Sequence, residues 1–169
     1  MTITPLLSRL GIRQTHIDQC KLPLEQEAVE LSSAGLDVFD REVLLLPSTL
    51  SAWQEMQEAA NRAEVTLQIV SGFRSIEYQC DLFERKLKRG IQIEDILKVN
   101  AIPGYSEHHT GRALDLTTPG YPPLETEFEN SDAFKWLAEH AGEFGFSMSY
   151  PKDNKAGIDY EPWHWAFKA

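Results

Sequence analysis

The chain has 169 residues, 42% of them hydrophobic and 25% charged, an ordinary globular usage that excludes collagen-like, low-complexity and disordered classes. With 16 basic against 26 acidic residues the formal net charge is -10, which argues against a free-standing nucleic-acid binder, since such proteins carry a basic face. One domain fits this length, and about two thirds of the unfolded chain's surface can be buried at such a size, so no covalent staple is needed.

The longest apolar run is Val43 to Leu46, far short of the roughly 18–20 residues of a membrane span. Met1 to Leu10 has no basic segment followed by an apolar one, so it does not read as a signal peptide. Two cysteines, Cys20 and Cys80, stand outside any C-x-x-C pair and are expected as free thiols of a reducing compartment. A cytoplasmic location is the expectation, with a periplasmic or cell-wall one open if a leader has been removed. The oligomeric state is not legible.

In chain order, the first 35 residues or so are irregularly patterned, with Pro5 and Pro23 as punctuation. Asp40 to Leu46 suits a short strand closed by Pro47. Ser48 is the expected N-cap of a helix reaching Glu64, because Leu50, Trp53, Met56, Gln57 and Ala60 recur at helical spacing. Val65 to Val70 alternates as a strand and runs into Ser71-Gly72. Ser75 is the expected cap of a helix through Lys88, stopped by Gly90. Arg112 to Leu116 reads as a strand and Ser131 to Glu143 as a helix. Phe144 to Tyr150 and Trp163 to Phe167 read as final strands. The stretches 117–125 and 151–159, rich in Pro, Gly, Asp and Asn, are loops. The late strands have no crossover helices between them, so the fold class is α+β, a small single domain with a mainly antiparallel sheet flanked by helices.

Three of the five histidines lie in two segments that also carry carboxylates: Ser106-Glu107-His108-His109-Thr110-Gly111-Arg112-Ala113-Leu114-Asp115, and Glu161-Pro162-Trp163-His164-Trp165. Two imidazoles and one carboxylate make a three-ligand zinc site with a fourth position open, the catalytic pattern. Imidazole favours zinc over calcium or magnesium, which prefer oxygen cages. Spacing does not choose between His108 and His109, which point in opposite directions on an extended chain. Asp115, between Leu114 and Leu116, is expensive to bury unless paired or metal-bound. Glu161 stands three residues before His164, where Pro162 can bend the chain, and a carboxylate beside such a metal is the usual general base. Trp163 and Trp165 are expected to wall the site against water. Arg74, between a strand and a helix, can offer a fork to a carboxylate, with Tyr78 and Gln79 lining the same pocket one turn on. His16 and His140 lack such neighbours and are expected to be solvated or helix-surface residues.

These three segments resemble the zinc D-alanyl-D-alanine carboxypeptidases of the VanY type, a group similar to the VanX dipeptidases, phage peptidoglycan endopeptidases and the hedgehog signalling domain. The pattern S-x-H-x-x-G-x-A-x-D is met by Ser106, His108, Gly111, Ala113 and Asp115; E-x-W-H by Glu161, Trp163 and His164; S-G-[FY]-R-S with a following Y-Q by Ser71 to Ser75, Tyr78 and Gln79. The resemblance covers residues 71–169 at least, whereas the first 40 match nothing and stand as an extension of unassigned role.

It implies one zinc per chain, held by His108, Asp115 and His164, with His109 a bystander and Glu161 the general base. It further implies that Arg74 grips a substrate carboxylate or the oxyanion, and that Ser106, Gln79, Tyr78 and Trp163 line the substrate. The expected substrate is a peptidoglycan stem peptide or muropeptide that loses a C-terminal D-amino acid, by D,D- or L,D-cleavage. An endopeptidase of the same family, or a catalytically silent zinc-containing binding module, are the alternatives.

Overall fold

The computed structural model describes residues 5–168; residues 1–4, at the head of the segment read for a leader, and Ala169 lie outside the described residues. In chain order the first elements are α1 (Pro5–Arg9), α2 (Gln14–Gln19), β1 (Ser32–Leu36), β2 (Glu42–Leu45) and α3 (Pro47–Arg62). Then follow β3 (Gln68–Ser71), α4 (Ile76–Lys88), α5 (Ile93–Val99), β4 (Ala113–Thr117), α6 (Asp132–His140), β5 (Phe146–Met148) and β6 (His164–Phe167). Strands β3-β4-β6-β5 form one sheet in that order and β1-β2 a separate pair, every pairing antiparallel. This is the α+β architecture expected from the strand pattern.

Alternation along β4 decides what the sheet does. Leu114 and Leu116 send their side chains into a core with Trp53, Met56 and Ala60 of α3 and Ala133 and Leu137 of α6. Asp115 therefore faces the other side. The register pairs Asp115 with His164 and Leu114 with Trp165, so His164 shares the Asp115 face and Trp165 joins the core.

Several boundaries shift for local reasons. Helix α3 starts at Pro47, with Leu46 rather than Ser48 as its N-cap; proline suits the first helical position, where its missing N–H has no partner to lose. Its exit turn, with Glu64 at φ 60° and Val65 N–H bonded to Ala60 O at 2.9 Å, delays β3 to Gln68. Ser75 caps α4 as expected, accepting from Tyr78 N–H, and Ser131 caps α6 likewise. Helix α6 tightens into a 3-10 turn over Ala141–Phe144 that ends at Gly145 with φ 80°, so β5 starts only at Phe146.

Residues read as irregular hold α1, α2 and β1, and α5 was likewise not expected. Leu7, Leu10, Ile12 and Ile17 build a second core with Cys80, Phe83, Ile96, Ile102 and Tyr105. The chain then straps across the segment before β4: Glu25 N–H bonds Gly104 O and Ala28 N–H bonds His109 O, both at 2.8 Å. The Glu27 carboxylate takes the Ile76 N–H of α4 at 2.8 Å.

Candidate metal centre

A 3-10 turn over Glu107–Thr110 precedes β4; Ser106 Oγ accepts the His108 N–H at its start, and Gly111 ends it at φ 66°. Glycine is needed there for the left-handed conformation. The turn aims His108 at Asp115. After Pro162, His164 N–H returns to Glu161 O at 3.2 Å, which brings Glu161 and His164 to the same side.

His108 Nε2 and His164 Nδ1 lie 3.2 Å and 3.1 Å from the same oxygen, Asp115 Oδ1. All three residues are buried, at 2–3% exposure, and their ligand atoms lie within 4.8 Å of one another. The other ring nitrogens are committed. His108 Nδ1 donates to Gly72 O at 2.6 Å, and a carbonyl can only accept, so His108 Nε2 presents a lone pair. His164 Nε2 donates to Glu107 Oε2 at 2.8 Å.

Electrostatics follow from these contacts. Burial, with Arg74 nearby, pushes His108 down to about 4. Burial also opposes charge on His164, but its hydrogen bonds to Asp115 and Glu107 outweigh that and raise it to about 10. Asp115 is held well below the carboxylate range despite its burial by His108, His164 and Arg74. The cluster thus favours a cation among these atoms, as a proton on His164 or a metal in its place. Tetrahedral zinc at 2.0–2.1 Å from each ligand would set ligand atoms about 3.3 Å apart, close to the separations of both imidazole nitrogens from Asp115 Oδ1.

Glu161 is 8% exposed, with Oε2 3.8 Å from His164 Nδ1. Burial raises its carboxyl to about 7. Arg74 donates from Nη2 to Asp115 Oδ2 and from Nη1 to Gln79 Oε1, both at 3.3 Å. Its buried Nε has no hydrogen-bond partner among the described residues. Lys86, half-buried on α4, lies near enough for its charge to act on Arg74 and Glu161.

The aromatic neighbours divide. The tryptophan wall is not formed: Trp163 and Trp165 both pack on the core behind the sheet, the consequence of alternation around His164. The rings beside His164 are Tyr150, at 4.7 Å between centroids, and His108, at 4.9 Å. Tyr78, as expected, lines a pocket with Arg74, and its hydroxyl accepts from Arg41 at 3.3 Å. His16 lies on α2 rather than free in solvent; its side chain is 9% exposed and its Nδ1 accepts the Arg13 N–H. His140 is half-buried and bonds Glu143. Glu107, which its place beside His108 in the chain does not single out, is the outer partner of His164.

Comparison with known proteins agrees with this geometry. The VanY family, described as D-alanyl-D-alanine carboxypeptidase, matches residues 42–169. The D-alanyl-D-alanine carboxypeptidase of Enterococcus faecium is 29% identical over 158 residues, covering 85% of this chain and 47% of its own length. The bifunctional D-Ala-D-Ala dipeptidase and carboxypeptidase VanXYC of Enterococcus gallinarum is 30% identical over 136 residues, covering 76% and 69%. The chain spans less than half the length of three curated relatives that it matches. Among solved structures, the LdcB LD-carboxypeptidase superposes with a TM-score of 0.74 at 27% identity, over 86% of this chain and 71% of that one. The zinc complex of the D,D-pentapeptidase VanY from a VanB-type cassette gives 0.67 at 27% identity, over 86% and 82%. Since the family match takes in the turn before β4, the Asp115 strand and the closing His164 strand together, the chain belongs to the VanY family of D-alanyl-D-alanine carboxypeptidases.

Proposed function

We propose that the chain is a zinc carboxypeptidase that removes a C-terminal D-amino acid, D-alanine, from a peptidoglycan stem peptide or muropeptide. The carrying observation is the convergence of His108 Nε2, His164 Nδ1 and Asp115 Oδ1 beside a buried carboxyl, Glu161, raised to about 7. One zinc, held by His108, Asp115 and His164, would polarise the scissile carbonyl and make water acidic enough to react near neutrality.

The remaining work falls to side chains. Glu161, poised between its charged and neutral forms, accepts a proton from the attacking water and returns it to the leaving amine. Arg74 faces the developing negative charge or the substrate's terminal carboxylate, and its unpartnered Nε is a donor left for that purpose. Gln79 fixes the guanidinium through Nη1 and is itself anchored by donating to Ala101 O at 2.9 Å. Among the described residues Ser106 Oγ only accepts, as a cap for the His108 N–H, which leaves its hydroxyl proton for a substrate. The free thiols Cys20 and Cys80 fit a reducing interior, and no described helix is long and apolar enough to cross a membrane.

Release of D-alanine from penta- and tetrapeptide stems, with and without chelator, tests the reading. Chelator-sensitive release is expected, the preferred stem naming D,D- or L,D-cleavage. Glu161→Gln should keep zinc and lose turnover by about a thousandfold. Equal cutting of amidated and free C-termini would replace the carboxypeptidase by an endopeptidase. Stoichiometric zinc with no release from any D-amino-acid peptide would leave a binding module.

A further inference from the structure

The two candidate zinc histidines are held from behind by unlike partners. Behind His108 is a backbone carbonyl, Gly72 O, which no side-chain substitution removes. Behind His164 is a carboxylate: His164 Nε2 donates to Glu107 Oε2 at 2.8 Å, and Ser149 Oγ donates to the same oxygen at 2.6 Å. Glu107 thus meets the imidazole on the edge remote from Asp115. It cannot share an ion with Nδ1 of the same ring, so it is no fourth ligand.

We infer that Glu107, steadied by Ser149, is the positioning residue of this metal centre, holding the His164 ring so that Nδ1 is aimed at the ion. The inference rests on the zinc reading above. Carboxylate oxygens accept from Nε2–H, which leaves Nδ1 as the ligating atom, and the negative charge strengthens Nδ1 as a donor. Ser149, just beyond β5, fixes the carboxylate from the strand neighbouring β6. The 3-10 turn, β5 and β6 thereby set one ring together.

Glu107 is not core. Its side chain is 26% exposed, and it lines a groove of about 610 Å³ with Glu25, Thr110, Arg112 and Lys168. Substitutions there are expected to fold, so the effect on metal can be read cleanly. Glu25 in the same groove supplies a control carboxylate of like charge that touches neither histidine.

The test is zinc affinity of the full chain, stripped by dialysis against chelator and titrated in competition with a chromophoric chelator. Glu107→Gln keeps an acceptor but removes the charge, and it should weaken zinc about 10–100-fold. Glu107→Ala should weaken it at least as much, and Ser149→Ala less but in the same direction. Glu25→Gln should leave affinity unchanged. Stripped Glu107→Gln loses the ion pair with protonated His164 and should melt somewhat lower, but at temperatures where it is still fully folded its zinc affinity should remain weakened, which a merely structural role of Glu107 would not give. In nitrogen-resolved NMR of the zinc-loaded wild type, His164 should carry its proton on Nε2. Wild type that binds zinc while folded Glu107→Gln binds it within twofold would overturn the inference and spare the zinc reading. Wild type that takes up no zinc would overturn both.

Discussion

His108 and His109, consecutive in the chain, send their rings to two carbonyls of one turn: His108 Nδ1 donates to Gly72 O and His109 Nδ1 to Arg74 O, each at 2.6 Å. In return the Arg74 N–H bonds His108 O at 3.1 Å. The 3-10 turn makes this possible, because residues one apart point about 120° from each other. His109 Nε2 also accepts the Gly104 N–H at 3.1 Å. His109 is thus directed away from Asp115 but ties the backbone of Arg74 to the loop before the site.

Replacing His109 by Phe keeps an aromatic ring and breaks both bonds, leaving a donor and an acceptor in a place where His109 itself is fully buried. The expected cost is about 2–4 kcal/mol, measured as a lower unfolding midpoint in denaturant, with zinc still bound.

Gly72 has no room for a side chain. A Cβ there would lie 2.6 Å from Val43 Cγ1 and 3.0 Å from Leu44 O. Gly72→Ala must displace the carbonyl that orients His108. A loss of about 1–3 kcal/mol is expected together with weaker zinc binding, read by thermal melting and by metal titration of the same samples.

Added zinc should raise the melting temperature of chelator-stripped wild type, because an ion that binds only the folded chain stabilises it by mass action. Asp115→Asn removes the charge facing both imidazoles and should abolish the rise. A scan at several zinc concentrations checks it.

Acid stability should depend on Asp37. Burial alone would push this carboxyl up, but hydrogen bonds from the Arg41 side chain and from the Arg41 and Phe39 N–H groups outweigh burial and lower it. A group depressed in the folded state adds stability above its ordinary value, near about 3.9, and loses it as pH falls through the lowered one. Arg41 also donates to Val70 O at 3.1 Å, so the pair fastens the β1-β2 hairpin to the main sheet. Asp37→Asn should be less stable than wild type at neutral pH, with the gap closing in acid. Denaturation midpoints across pH measure this.

The two thiols should react unequally. Burial, with Asp81, Glu84 and Glu77 adding to it, raises Cys80 to about 11; Cys20 is only partly covered. Alkylation of the native chain at mildly alkaline pH, followed by peptide mass spectrometry, should label Cys20 first. Denaturant should remove the difference.

Local pattern by itself determined a good part of this protein. The Ser75 cap, the spacing of α4 and α6, and an aspartate between two leucines are all statements about neighbours in the chain, and each holds in the structure. The motif segments offered imidazoles and carboxylates of the zinc type, but spacing left His108 and His109 open, and the 3-10 turn decides that only the His108 ring faces Asp115. Tertiary structure decided what depends on distant partners. Strand register placed Asp115 opposite His164 and turned Trp163 and Trp165 to the core instead of the site. Residues 5–28, without periodicity of their own, take their order from a second core and from bonds to Gly104, His109 and Ile76. Glu107 is the sharpest case: next to His108 in the chain, it bonds His164, 57 positions away. Sequence spacing shows which side chains can do chemistry, whereas the folding of the sheet decides which ring each carboxylate meets.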